Sequence, residues 1–413
     1  MQAIVFRYSL PRFALATVLG VLTPRAYTGP LAPTSLLEVP EPTLPANDWA
    51  IVRTALCGIC GSDTKQIYLD GAFDNPLTSL ISFPHILGHE VVGVIEAVGP
   101  GVSTRRVGER VAVNPWLSCG PRGIQPPCAA CQQGQVTLCE HFTEGRLAPG
   151  IHLGNCRSAG GGYAPRLAGH ESQLIPVPDV VSFEQAVFAD PFAVSLHAVL
   201  KARPAPGAAV LVYGCGTLGL LAIAILHVLF PETRIIAIAR YAHQAQMARA
   251  LGAQQVIRTR QPAAIIETMA DLTGAAVLRP RQGLPWLRQG VDVIYDMVGS
   301  PESLEVGVRV IGPRRRIVIS GVDRPARFEW TPLYFKEVQL IGSNAFGVEE
   351  WEGARQHAMA FYLQWTAEGR FDLTPLLTHR FRLAQYRDAF VIAQRKGTQQ
   401  AIKAAFDLRP GGV

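Results

Sequence analysis

Charge is scarce in this chain. Asp, Glu, Lys and Arg supply 17% of its 413 residues, while apolar side chains supply 48%. That balance excludes a disordered, self-repelling polymer and leaves enough apolar surface for two domains with cores of their own. There is no internal repeat and no long Lys/Arg run. The formal charge of +6 is dispersed. It suits an anionic cofactor or substrate as readily as nucleic acid, and alone it decides nothing. Two stretches lack charge altogether. Residues 13–22 follow Arg7 and Arg12 and resemble the apolar core of a signal peptide. A strand-like run, Met1 to Phe6, precedes them and no small-x-small cleavage site follows, so export is not expected. Residues 207–230 are long enough to span a bilayer, but three glycines near their start point elsewhere.

Cysteine, by contrast, is present eight times: Cys57, Cys60, Cys119, Cys128, Cys131, Cys139, Cys156 and Cys215. Four of the eight crowd into 119–139. In an enzyme-sized chain that clustering reads as metal binding rather than disulfides, and a reducing cytoplasm is expected.

Up to about residue 190 the chain shows short β-like runs, such as 49–53 and 90–99, punctuated by Pro and Gly. The character then changes. Strand-like 208–213, 234–239, 291–296 and 316–320 alternate with helix-like 218–230 and 243–251. Alternation of this kind implies βαβ units and a parallel sheet. The tail returns to mixed character, with a helix expected at 354–365 and a strand at 401–406. Residues 278–290 read as a basic surface loop.

The turn Gly214-Cys215-Gly216-Thr217-Leu218-Gly219 follows the strand 208–213 and opens a helix. Gly214 permits the tight turn, Gly216 lets a pyrophosphate approach the backbone, and Gly219 lets helix and strand pack closely. The helix N-terminus then offers free N–H groups to the phosphates. A buried strand and a buried helix explain the uncharged stretch without a membrane. At the end of the second strand an NAD site would place Asp or Glu, but Ala239 stands there and Arg240 follows. Loss of the acid favours NADP, with Arg240 available to its 2′-phosphate. NAD, with Arg240 solvated or stacked on adenine, is the other reading.

Cys119, Cys128, Cys131 and Cys139 can close a four-thiolate tetrahedral shell around a structural zinc. A turn-rich stretch with Pro121, Gly123, Pro126 and Pro127 fills the long first interval. A catalytic zinc wants about three protein ligands and one open position. Cys60 and His89 supply a thiolate and an imidazole, and Asp190 is the candidate carboxylate.

The segments Gly58-Ile59-Cys60-Gly61-Ser62-Asp63, Gly88-His89-Glu90, the four-cysteine loop, Ala189-Asp190-Pro191 and the glycine turn occur in an order that resembles the zinc-containing medium-chain dehydrogenases. That family includes alcohol, polyol and threonine dehydrogenases. The resemblance implies an α/β chain: a doubly wound Rossmann parallel sheet over 192–345, plus a β-rich GroES-like catalytic domain formed by 1–191 and 346–413. It implies Cys60, His89 and Asp190 as catalytic zinc ligands, and Glu90 as an alternate ligand. Ser62 matches the hydroxyl that relays the substrate proton, and Asp63 a residue that orients the histidine. Lys65 stands where many members carry a relay histidine. Segments 7–35 and 278–290 are longer than usual.

The expected function is therefore zinc-dependent hydride transfer between an alcohol or polyol, or its carbonyl, and NAD(P). A lyase- or epimerase-like use of bound NAD(P) is the alternative. The expected partners are a small-molecule substrate and further copies of the chain, as a dimer or tetramer, with no nucleic acid and no membrane.

Overall fold

A computed structural model describes residues 1–70, 75–323 and 326–411. The chain divides into two compact units, Met1–Asp190 with Gly347–Val413, and Pro191–Phe346.

The first unit is built on a seven-stranded sheet in which strand Trp49–Gly58 is central. It pairs antiparallel with Glu90–Val98, with Arg166–His170 and with Lys403–Asp407. Eight of its ten residues are buried, Ile51 is partly buried and Arg53 is exposed. The register sets Gly58 opposite both Glu90 and Ala405. A Cβ at Gly58 would collide with the Glu90 carboxylate, so only glycine fits there. Trp49, Val52, Val91, Tyr163 and Phe406 anchor the apolar core beneath. A second, three-stranded sheet joins Thr34–Glu38, Gln2–Phe6 and His85–Ile86. The long segment 7–35 is ordered: helix Leu10–Gly20, a 3-10 turn Pro24–Tyr27, and a return to the sheet.

The second unit is a six-stranded parallel sheet. Its order is Gln255–Ile257, Arg234–Ile238, Ala209–Tyr213, Val291–Asp296, Ile311–Ile319 and Gln339–Gly342. That order reverses beside Ala209–Tyr213, the switch point at which such sheets bind dinucleotides. Helix Thr217–Leu229 buries nine of its residues, which accounts for the uncharged stretch in the sequence. No helix among the described residues is long and apolar enough to cross a membrane.

Two sequence expectations need correction. Residues 354–357 are not helical: Ala354–His357 forms a hairpin with Val348–Trp351, and the helix runs Ala358–Ala367. His357 caps that helix by accepting from Met359 N, so helix formation begins only after it. Residues 278–290 are not simply a loop either. Residues 279–285 form the loop of a short hairpin that pairs Val277–Leu278 with Trp286–Leu287.

Candidate zinc and dinucleotide sites

Cys60 ends the central strand's exit turn and caps helix Gly61–Ile67; Asp63 in the first turn accepts from the Cys60 N–H at 3.0 Å. Glu90 opens strand Glu90–Val98 and His89 precedes it, next to Gly88, whose φ of +91° suits glycine. The ligand atoms of Cys60, His89 and Glu90 all lie within 4.8 Å of one another. Asp63 Oδ1 stands 3.4 Å from His89 Nδ1. Tyr163 Oη donates to Asp63 Oδ2 at 2.7 Å. Burial opposes ionisation of Asp63, but His89, Tyr163 and the Cys60 N–H outweigh it and hold its carboxyl below the usual range. His152, its ring 4.7 Å from that of His89, is pushed down to about 3 by burial and by His89.

Asp190 is not one of this close group. It is buried, and burial raises its carboxyl to about 7 against the pull of His89. The carboxylate beside Cys60 and His89 is that of Glu90. Glu90 in turn forms an ion pair with Lys403, which also donates to Ile59 O at 3.2 Å. Ser62 is exposed on helix Gly61–Ile67.

Cys119, Cys128, Cys131 and Cys139 form the second donor group, their sulfurs within 4.8 Å of one another. Backbone N–H groups of Cys128 and His141 point at the sulfurs of Cys119 and Cys139, both at 3.4 Å. Such donors stabilise thiolate charge. A soft four-sulfur set fits zinc, and one thiolate, one imidazole and one carboxylate fit a zinc with an open position. Arg122, buried inside the cysteine loop, ties it together by donating to the carbonyls of Leu117, Glu144, Leu147, Ala148 and Gly150.

In the second unit Gly214 has φ +94°, and a Cβ on Gly219 would strike Gly214 O. Nothing lies within 4 Å of a Cβ built on Gly216, so the space over that residue is open. Thr217 starts the helix, and Leu218 O accepts from Ser195 Oγ at 3.0 Å. Ala239 is buried at the end of its strand, and Arg240 is exposed. The guanidinium carbons of Arg240 and Arg260 lie 5.4 and 5.9 Å from the centroid of the Tyr241 ring.

Lys403, Tyr163, Arg122 and Arg260 were not singled out by sequence reasoning. A lysine starting the apolar run Lys403-Ala404-Ala405-Phe406 was the one local signal.

A doubly wound dinucleotide-binding sheet joined in one chain to a closed four-sulfur set and an open Cys-His-carboxylate set defines a zinc and nicotinamide oxidoreductase. The known proteins agree. Residues 46–179 match the alcohol dehydrogenase GroES-like domain, and residues 217–359 match the zinc-binding dehydrogenase domain. Sorbitol dehydrogenase of Bacillus subtilis is 28% identical over 358 residues, covering 85% of this chain and 89% of its own. (R,R)-butanediol dehydrogenase of Saccharomyces cerevisiae is 28% identical over 332 residues, covering 76% and 81%. An Escherichia coli alcohol dehydrogenase solved with NADH shares the fold at TM-score 0.75 and 24% identity, over 98% of this chain and 99% of that one. The chain belongs to the zinc-containing medium-chain dehydrogenase family, and its cofactors are zinc and a nicotinamide dinucleotide.

Proposed function

We propose that this dehydrogenase interconverts a small alcohol or polyol and its carbonyl compound, depends on zinc at Cys60 and His89, and prefers NADP. The observation that carries this reading is the convergence of Cys60, His89 and Glu90 within 4.8 Å. Two of the relatives matched over most of their length are named for sorbitol and butanediol, a polyol and a diol.

When bound, zinc supplies a Lewis acid for the substrate oxygen, and the nicotinamide supplies the hydride acceptor. The chain's own residues do the rest. Cys60 and His89 are the constant donors. The third position would fall to a carboxylate, either Glu90 of the close donor group or the buried Asp190. Asp63, 3.4 Å from His89 Nδ1, would orient the ring toward the metal. Ser62 Oγ takes the substrate hydroxyl proton and passes it outward. Gly214, Gly216, Thr217, Leu218 and Gly219 form the pyrophosphate turn. At the ribose end, Ala239 offers no repulsion to a 2′-phosphate, and Arg240 and Arg260 offer two guanidiniums. Assembly as a homodimer or homotetramer in a reducing cytoplasm completes the reading.

The test is a panel of alcohols, polyols and aldehydes, assayed with NAD and with NADP by nicotinamide absorbance. Turnover of a vicinal diol or polyol with NADP at a kcat/KM about tenfold above that with NAD supports the reading, a ratio worth about 1.4 kcal/mol of ribose-phosphate recognition. Equal or better use of NAD overturns the cofactor preference. Absence of turnover across the panel overturns the substrate class.

A further inference from the structure

Helix Leu10–Gly20, within the extra segment 7–35, has an unusual surface. Phe13 and Tyr27 pack on the core, Ala16 is buried, and a Cβ on Gly20 would meet the Tyr27 ring. Residues 13, 16 and 20 therefore make the inward stripe. An ordinary surface helix turns charged side chains outward opposite such a stripe. This one turns out Leu10, Leu15, Val18 and Leu19, and the chain continues with exposed Val21 and Leu22, the last two 87% and 83% exposed. Tyr8 and Leu31, elsewhere in the segment, are also exposed.

Within the segment itself the side-chain charges have one sign. Residues 1–37 contain Arg7, Arg12 and Arg25 and no Asp, Glu or Lys. Arg7 donates to Pro30 O and Ser35 Oγ, and Arg12 to Pro30 O and Ala32 O. These acceptors carry no net charge, and among the described residues no ion pair is formed by Arg7 or Arg12. Arg25 pairs with Asp388, while Arg387, on the same helix as Asp388, adds another cation by donating to Arg25 O. A short apolar helix rimmed by arginine is complementary to the interface of an anionic bilayer, where the apolar side chains enter the acyl boundary and the guanidiniums meet phosphate. A helix of 11 residues is too short to span.

We propose that helix Leu10–Gly20 and the turn after it lie on the surface of an anionic lipid bilayer and hold the protein there reversibly. This departs from the sequence expectation of no membrane partner, and it is independent of the dehydrogenase reading. A second copy of the chain fits less well, because like charges on two such patches would face each other across a shared interface.

The test is co-sedimentation of the whole zinc-loaded protein with vesicles of phosphatidylglycerol and phosphatidylcholine, and with pure phosphatidylcholine. The expected result is pelleting with the anionic vesicles only, lost at about 0.5 M salt. V18E/L22E is expected to lower the bound-to-free ratio at least about tenfold, since charge replaces inserted apolar groups. Its solution turnover should match the parent's, and circular dichroism checks its fold. A parent protein that stays in the supernatant with both vesicles overturns the proposal. So does a parent dimer that V18E/L22E converts to monomer without either chain binding lipid, which would make a second copy the occupant. Should V18E/L22E fail to fold, lipid composition and salt dependence of the parent alone decide.

Discussion

Lys403 and Glu90 form an ion pair in which each side chain is 2% exposed. The two come from adjacent antiparallel partners of strand Trp49–Gly58, and Gly58 leaves room between them for the carboxylate. Such a pair costs much to desolvate, and removing one member strands the other. Lys403→Met is therefore expected to lower stability by about 3 kcal/mol in urea unfolding. Adding Glu90→Gln should recover a large part of the loss. A single Lys403→Met chain as stable as the parent would remove the pair from the account of the site.

The glycine turn separates binding from packing. At Gly219 a Cβ meets the Gly214 carbonyl, so Gly219→Ala overpacks the turn and should cost about 1–3 kcal/mol of stability. At Gly216 a Cβ meets nothing within 4 Å. Gly216→Ala should leave Tm nearly unchanged and still weaken dinucleotide binding by about tenfold or more, because the methyl occupies the approach of the pyrophosphate. Fluorescence titration with the reduced cofactor, beside a thermal melt, distinguishes the two. Equal Kd values for Gly216→Ala and parent would place the phosphates elsewhere.

The four-sulfur group is expected to hold zinc whose removal is felt in stability rather than in chemistry alone. Cys131→Ser should reduce metal content by about one zinc per chain and lower Tm by several degrees, since binding free energy at such a site is folding free energy. Elemental analysis after dialysis provides the count. Full zinc retention by Cys131→Ser would refute a closed Cys119-Cys128-Cys131-Cys139 shell.

Asp407 links stability to acid. Its carboxylate accepts from Arg409 Nε at 2.9 Å and lies 3.6 Å from Arg380, and Glu184 shares both arginines. Burial opposes the charge on Asp407, but Arg409 first and Arg380 after it hold the carboxyl below its usual value. A depressed folded-state pKa stabilises the protein above the unfolded value of about 3.9, and that stabilisation fades as pH falls through the folded value. The Tm difference between parent and Asp407→Asn should therefore be steady from neutrality to about pH 5 and shrink below about pH 4. A difference that stays constant into acid would exclude this linkage.

Much of this was legible in residues close in sequence. The glycine turn, the cysteine spacing and the alternation of strands and helices after residue 190 are local patterns, and the parallel sheet follows from them. What escaped notice depends on distance in space. Lys403 reaches Glu90 only because strand Lys403–Asp407 returns beside Trp49–Gly58. Choosing between Asp190 and Glu90 as the third donor needs coordinates, since both are buried acids near His89. The misread helix at 354–357 has a local cause: apolar Ala358–Ala367 dominates the window and hides the hairpin before it. Segment 7–35 gave no structural signal beyond its apolar run, because what orders it, the packing of Phe13 and Tyr27 on the core, is tertiary.

The most direct measurement follows deuterium from the carbinol carbon of an accepted alcohol, with mass spectrometry of the nicotinamide after a single turnover. Label is expected on the nicotinamide with the parent enzyme, and transfer slowed by about a thousandfold or more in Cys60→Ser and His89→Ala, with dinucleotide affinity kept. Label released to solvent instead of the nicotinamide, or transfer in Cys60→Ser and His89→Ala at the parent rate, would contradict zinc-assisted hydride transfer at Cys60 and His89.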